Sequence, residues 1–223
     1  MNAPLWYNVR QPANVTLSRS GDVSVSTSMD RQSELQLVAR LRKGDPEAFA
    51  EVHDALNGRL YNFLARLSNR RDVAEDLLEE TWLRLVIHAR RLRPDTHLGP
   101  WLFTVARHLH ASHCRSRLLE DSHAAGLIGL WPYGRPGPSP FEAVEASEAQ
   151  RRAATVLASL PLAYREALLL VVVEGLRHSE AAEICGVTAE AMRQRLSRAR
   201  ALFARRLTDA EGPGLTSLNE VTT

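Results

Sequence analysis

The sequence predicts an all-α protein of two small helical domains, an N-terminal helical bundle and a C-terminal helix-turn-helix, joined by a flexible linker. Three observations predict it. Apolar residues recur with a helical period through residues 31–118 and again through 148–207. Between these units, eight of the fifteen residues from 126 to 140 are glycine or proline, a density that neither helix nor sheet tolerates. Late in the second unit, two short helical stretches flank Cys185-Gly186-Val187, and the second stretch is loaded with arginine.

Taken in order, residues 1–30 read as a disordered N-terminal tail, rich in Ser, Thr, Val and Asn and without period. Helical order starts sharply after Met29, which makes that methionine a candidate true start. Leu35, Val38, Ala39 and Leu41 mark a first short helix, and Gly44 breaks it. Asp45-Pro46-Glu47 opens a second helix, with Asp at the N-cap and Pro at the first helical position. Phe49, Val52, Leu56, Leu60, Phe63, Leu64 and Leu67 form its apolar stripe. After a turn at Asn69-Arg70-Arg71, Asp72 and Glu75 have capping-box spacing and open a third helix through about Arg91. Residues 94–100 read as a loop and 101–117 as one or two further helical segments, closing a domain at 31–118.

Residues 119–147 are too long an unpatterned stretch for the inside of a compact domain and read as the interdomain linker. In the second domain, at 148–207, Pro161 breaks the helix after Leu160 and Gly175 ends the strongly apolar run at 167–173. Residues 208–223 read as a frayed C-terminal tail. Ala181, Ala182 and Ile184 pack the first helix of the helix-turn-helix inward. Gly186 supplies the positive φ of its turn, and Thr188 caps the second helix. Met192, Leu196 and Ala199 fall at i, i+4, i+7 as one buried stripe, leaving Arg193, Gln194, Ser197 and Arg198 on the open side.

That arrangement is how a recognition helix is presented to the major groove of duplex DNA. The rival reading is a helical hairpin with a solvated arginine face. All the open-face groups are donors, however, and Arg198 and Arg200 extend the strip toward the DNA backbone. A bidentate Arg on a guanine edge contributes about 1–3 kcal/mol of discrimination. Arg195, Arg205 and Arg206 are assigned to phosphates, where they add affinity and salt dependence.

Composition bounds the rest. The chain has 223 residues, 44% of them hydrophobic, and a net charge of +2, so it is not globally basic. The sum hides an asymmetry: residues 193–206 hold six arginines and no acid, and residues 72–80 hold five acids and no base. One end suits phosphate and the other a basic protein surface. Cys114 and Cys185 lack C-x-x-C spacing, which fits a reduced, cytoplasmic setting. No apolar run reaches membrane-spanning length and no leader-like segment opens the chain, so no membrane partner is expected. His108, His110, His113 and Cys114 invite a metal, but helical spacing turns His108 away from the other three, and no metal or cofactor is assigned. A hydrolase is disfavoured because neither cysteine has an evident base partner.

The residues also carry a family likeness. Leu160-Pro161, the run Tyr164-Arg165-Glu166-Ala167-Leu168-Leu169-Leu170, Glu174-Gly175-Leu176, Glu183-Ile184-Cys185-Gly186-Val187 and Arg195-Leu196-Ser197-Arg198-Ala199-Arg200 together resemble the C-terminal domain of extracytoplasmic-function sigma factors. Independently, residues 72–82 resemble that family's polymerase-binding helix, and Trp101-Leu102-Phe103-Thr104-Val105-Ala106-Arg107 resembles its promoter-melting segment. The likeness covers about residues 33–117 and 148–207, in the family's order.

It implies an alternative sigma factor without catalytic activity, whose partners are core RNA polymerase, through its β′ coiled coil and β flap, promoter DNA and an anti-sigma protein. Asp72, Glu75, Asp76, Glu79 and Glu80 step by three or four into one acidic ridge, with Trp82 beyond it, and the likeness makes these the polymerase-binding residues. It places capture of unstacked −10 bases on the segment holding Arg107, His108, His110, Ser112 and His113. The family often has Asn at the place of His108 and Asp at the place of Ser112, which leaves the −10 base preference open. Where a capping serine is usual this chain has Arg177, and Ser179 is the expected substitute. Arg193, Gln194, Arg195, Ser197, Arg198 and Arg200 become the −35 contacts. Promoter elements two DNA turns apart are roughly 70 Å apart. A flexible linker of this length averages about 30 Å but stretches to roughly 90 Å, so bridging requires an extended, guided chain. The runner-up is a stand-alone helix-turn-helix regulator, against which the acidic helix and the melting segment both argue.

Overall fold

A computed structural model describes residues 30–125 and 147–211, with side chains described for 30–117 and 147–210. Most of the expected tails, at 1–29 and 212–223, and residues 126–146 of the expected linker lie outside the described residues, whereas 119–125 and 208–211, read from the sequence as linker and frayed tail, continue the preceding helices. Within them all regular structure is helical. In chain order the elements are α1 (Arg31–Arg42), α2 (Pro46–Ser68), α3 (Arg71–His88) with a 3₁₀ turn at Ala89–Arg91, and α4 (Leu98–Ala125). They continue with α5 (Glu148–Ser159), α6 (Leu162–Leu168) running into a π turn at Leu169–Val173, α7 (His178–Cys185) and α8 (Ala189–Glu211).

Local chemistry explains most boundaries. The Asp45 carboxylate accepts the Glu47 N–H at 2.9 Å and so meets one of the unpaired donors at the start of α2, with Pro46 in the first turn where its missing N–H costs nothing. Asn69, at φ 55°, takes the left-handed conformation that ends α2. The capping box at Asp72 does not form. Arg70 already turns the chain into the cap position in an extended conformation, so Asp72 falls inside α3, where it pairs with Arg70. Ser147 and Gln150 do form a reciprocal capping box at the start of α5. In the first helix Leu37 joins Val38 and Leu41 in the core, while Ala39 faces out.

In the N-terminal unit α2 packs on α3 and α4, and α1 lies against α2. Phe63 and Phe103 meet edge to face at the centre, with ring centroids 5.3 Å apart. In the C-terminal unit α8 crosses α5, α6 and α7. The apolar run at 167–173 does not stay in one helix. The Glu174 N–H bonds back to the Leu169 carbonyl, an i→i+5 step at 2.9 Å, so Leu169 and Leu170 are buried while Val172 and Val173 reach the surface.

The two units touch. Their buried residues form one contiguous apolar cluster. The seam between them lies where α4 meets α7 and where α2 meets α5, α6 and the π turn.

Candidate nucleic-acid interface

The helix-turn-helix has the expected construction. Gly186 closes α7 at φ 67°, a left-handed conformation, and its N–H reaches the Ala182 and Glu183 carbonyls. The Thr188 hydroxyl accepts the Ala191 N–H at 3.1 Å and caps α8. Ser179 does not replace the missing serine at the start of α7. Glu180 reaches back to accept the Arg177 N–H at 2.8 Å and also pairs with the Arg177 guanidinium. Met192, Leu196 and Ala199 are buried, as their spacing requires, and they clamp α8 so that Arg193, Gln194, Ser197, Arg198 and Arg200 stand exposed.

Their electrostatics are loose. Arg193 pairs with Glu190 at 2.5 Å and Gln194 donates to the same carboxylate at 3.3 Å, holding the Glu190 carboxyl below its usual range. Such an exposed pair contributes little and exchanges readily for another acceptor. Arg195 is half-buried. Arg206, expected on phosphate, instead donates to the Ser159 carbonyl at 2.5 Å and hydroxyl at 2.8 Å, tying α8 to the end of α5.

The acidic ridge on α3 is partly as expected. Asp72, Glu75, Asp76 and Glu79 are exposed, and Glu80 is half-buried against Arg84 at 2.5 Å. Trp82 is not part of it. That side chain is only 8% exposed, its indole N–H donates to Asn57 Oδ1 at 2.9 Å, and its ring meets Phe49 edge-on, so it belongs to the core. What continues the surface beyond the acids is apolar: Leu83, Val86 and Ile87 are 51%, 56% and 56% exposed. Their i, i+3, i+4 spacing is visible in the sequence, but spacing alone does not say whether an apolar stripe faces the core or the solvent.

The α4 segment departs most from expectation. Only Ser112 of its five candidate residues is exposed. Arg107 donates from Nε to Glu166 Oε1 of α6 at 2.9 Å and from Nη1 to the Ile184 carbonyl of α7 at 3.4 Å. His110 is 4% exposed, and its Nε2 lies 3.7 Å from Cys114 Sγ. Burial, with the charges of His113, Arg165 and Arg107 nearby, pushes the His110 pKa down to about 4, so the ring is neutral at neutral pH. His108 is also shifted down, by burial and then by Arg107 and Arg115. His113 is half-buried. Arg107 therefore lies under the C-terminal unit, and of the five expected single-strand contacts only Ser112 is fully open here. Glu166 itself is 3% exposed and also faces Cys185, whose thiol is pushed up to about 11 by burial and by that carboxylate.

Two helical units, with a strip of donors held open on the second helix of a helix-turn-helix, define a DNA-reading protein. A family model described as Sigma-70 region 2 matches residues 53–118, and one described as Sigma-70, region 4 matches residues 150–203. The chain is 31% identical over 206 residues to the ECF RNA polymerase sigma factor SigC of Mycobacterium tuberculosis, covering 86% of this chain and 98% of that protein. It is 36% identical over 138 residues to the sigma factor EcfG of Rhodopseudomonas palustris, covering 62% of this chain and 73% of that one. The solved structure of RpoE in complex with the anti-sigma factor NepR from Bartonella quintana is 25% identical, with a TM-score of 0.56, covering 79% of this chain and 95% of that one. CnrH, solved in complex with the cytosolic domain of CnrY, shares the fold at 20% identity and a TM-score of 0.59, covering 80% of this chain and 99% of that one. The chain belongs to the extracytoplasmic-function sigma factors of the sigma-70 family, and it is an alternative sigma factor that directs promoter-specific transcription. Such factors are non-catalytic initiation factors working with core RNA polymerase on promoter DNA. Among the described residues, no helix is long and apolar enough to cross a membrane.

Proposed function

We propose that the two units, at about 31–118 and 148–207, divide promoter recognition between them. The C-terminal unit reads the −35 element as duplex through Arg193, Gln194, Ser197 and Arg198, with Arg195 and Arg200 on the flanking backbone. The N-terminal unit captures the melted −10 strand with the segment from Arg107 to His113. It docks on the β′ coiled coil of polymerase through Asp72, Glu75, Asp76, Glu79 and Glu80, and Leu83, Val86 and Ile87 continue that surface in place of Trp82. The C-terminal unit also meets the β flap. An anti-sigma protein is a further partner, and the factor has no catalytic activity of its own and works in the cytoplasm. The observation that carries this reading is the exposed donor strip of α8 above its buried Met192, Leu196 and Ala199 stripe. An arginine fork in that position recognises a guanine edge bidentately.

Reconstituted transcription with core polymerase over a randomised promoter library tests it. The expected outcome is enrichment of two sequence blocks about two helical turns apart. Enrichment of a single duplex block, with no dependence on core polymerase, favours a stand-alone regulator. Reversing the acidic ridge with E75K and E79K abolishes co-purification with core polymerase while duplex −35 binding stays intact. Retained co-purification overturns the docking assignment.

A further inference from the structure

The helix assigned to the −10 strand, α4, opens on a borrowed cap. Its first residue is Leu98, whose N–H is one of the donors that a helix leaves unpaired at its start. His97 just before it has no side-chain oxygen to accept that N–H, and the Thr96 hydroxyl is turned back onto the Arg93 carbonyl at 2.8 Å. The acceptor comes from 64 residues away. The Glu34 carboxylate, in the first turn of α1, takes the Leu98 N–H at 2.7 Å. Glu34 is only 8% exposed, and its charge is met by Arg31 at 2.5 Å, with His97 Nδ1 at 3.3 Å.

Arg31 completes the clamp. Its Nη2 donates to the Asp95 carbonyl at 2.8 Å, and its Nη1 reaches the Thr96 carbonyl at 3.3 Å. Two side chains one turn apart on α1 therefore hold the backbone that enters α4 at Asp95, Thr96 and Leu98. Beyond this point Leu102, Phe103 and Ala106 are fully buried, where α4 packs on α2 and α3. Apolar burial is non-directional and decides which face of α4 turns inward. Hydrogen bonds tolerate only a few tenths of an ångström, so the clamp decides the register and direction in which α4 starts. The lever is long: at 1.5 Å per residue His113 lies about 22 Å along the axis from Leu98, and a tilt of about 5° at the first turn carries it about 2 Å sideways.

We propose that Glu34 and Arg31 are positioning residues for −10 recognition, which fix the aim of the segment from Arg107 to His113 without touching DNA themselves. The proposal rests on the assignment of that segment made under Proposed function.

The test uses holoenzyme reconstituted from the full chain and core polymerase. Fluorescence anisotropy compares a single-stranded −10 non-template oligonucleotide from the promoter library with the same strand carrying one substituted −10 base. The ratio of the two affinities is the decisive quantity, because a loss of folded protein weakens both alike and leaves it unchanged. Glu34→Ala is expected to lower that ratio about fivefold. Glu34→Gln keeps an acceptor of the same shape for the Leu98 N–H and is expected to restore the ratio to within about twofold of wild type. Arg31→Ala leaves the cap but frees the Asp95 and Thr96 carbonyls, and is expected to lower the ratio about twofold to threefold. It carries the test should Glu34→Ala fail to fold. Affinity for a −35 duplex and co-purification with core polymerase stay unchanged in the folded variants. An unchanged ratio in Glu34→Ala, or in Arg31→Ala where it stands in, overturns the positioning role and leaves the clamp a purely structural tie. Absence of any −10 preference in the wild-type holoenzyme overturns the assignment of the segment itself.

Discussion

The donor face of α8 and the melting segment of α4 are both assigned to DNA, yet one is open and the other covered. The α8 face is built from one helix: a buried stripe three and four residues apart throws its other residues outward. In the α4 segment Arg107 is covered by partners 59 and 77 residues away in sequence, Glu166 and the Ile184 carbonyl. A face presented by a helix's own period is exposed whenever the helix is folded. The exposure of a face opposed by another unit depends on where that unit sits as well as on the helix's own residues.

The largest expected effect breaks the open side. Met192→Ala removes a fully buried side chain from under α8 and is expected to cost about 2–5 kcal/mol of stability, measured by urea unfolding, with −35 binding lost in parallel. Stability reduced by less than 1 kcal/mol would mean that the stripe does not hold the recognition helix.

Acid acts next, on the covered side. His110 has its folded pKa lowered from 6.5 to about 4, so the folded state favours the neutral ring. Its contribution is fully present above pH 6.5 and is lost as the pH falls toward 4, because the unfolded chain binds the proton first. Thermal unfolding is therefore expected to show a falling Tm between those pH values, with up to about 3 kcal/mol at stake, and His110→Asn flattens most of that slope. His108 is shifted in the same direction and leaves a smaller residue.

Arg198→Ala is the smaller perturbation of the open side. Stability stays within about 0.5 kcal/mol, as for other exposed changes, while discrimination at one −35 base pair falls by about 1–3 kcal/mol in competition binding. Unchanged sequence choice removes Arg198 from the base-reading set. The smallest effect sharpens the comparison. Glu190→Gln frees Arg193 from an exposed pair and shifts stability by no more than about 0.5 kcal/mol. It raises −35 affinity slightly at low salt, since an acidic competitor has gone, and an affinity loss would show that Glu190 positions Arg193 for DNA.

Legibility followed distance along the chain. The turn at Gly186, the caps at Asp45 and Thr188 and the Met192, Leu196, Ala199 stripe each depend on neighbours within a few residues, and each formed as their chemistry dictates. Asp72 misled because capping-box spacing says nothing of how tightly the preceding turn closes; with Asn69 left-handed and Arg70 extended, the helix had already begun. Trp82 misled because its place on α3 follows from the ring of Phe49 and the amide of Asn57, both supplied by α2. Arg206 looked like one more phosphate ligand until Ser159 was brought beneath it.

By itself the sequence determined an all-helical chain, those of its helix ends that are set by a local cap or turn, a recognition helix with donors outward, an acidic ridge and the family to which these belong. The helices, the recognition face and the ridge rest on period, capping and local charge, which act over a turn or two of helix, and the family rests on the likeness of its motifs. Only the tertiary structure decided that Trp82 is core, that Leu83, Val86 and Ile87 are surface, and that the N- and C-terminal units meet over Arg107 and His110. Those outcomes depend on ion pairs and apolar contacts between residues far apart in the chain, and no periodicity encodes which distant carboxylate will meet a given arginine.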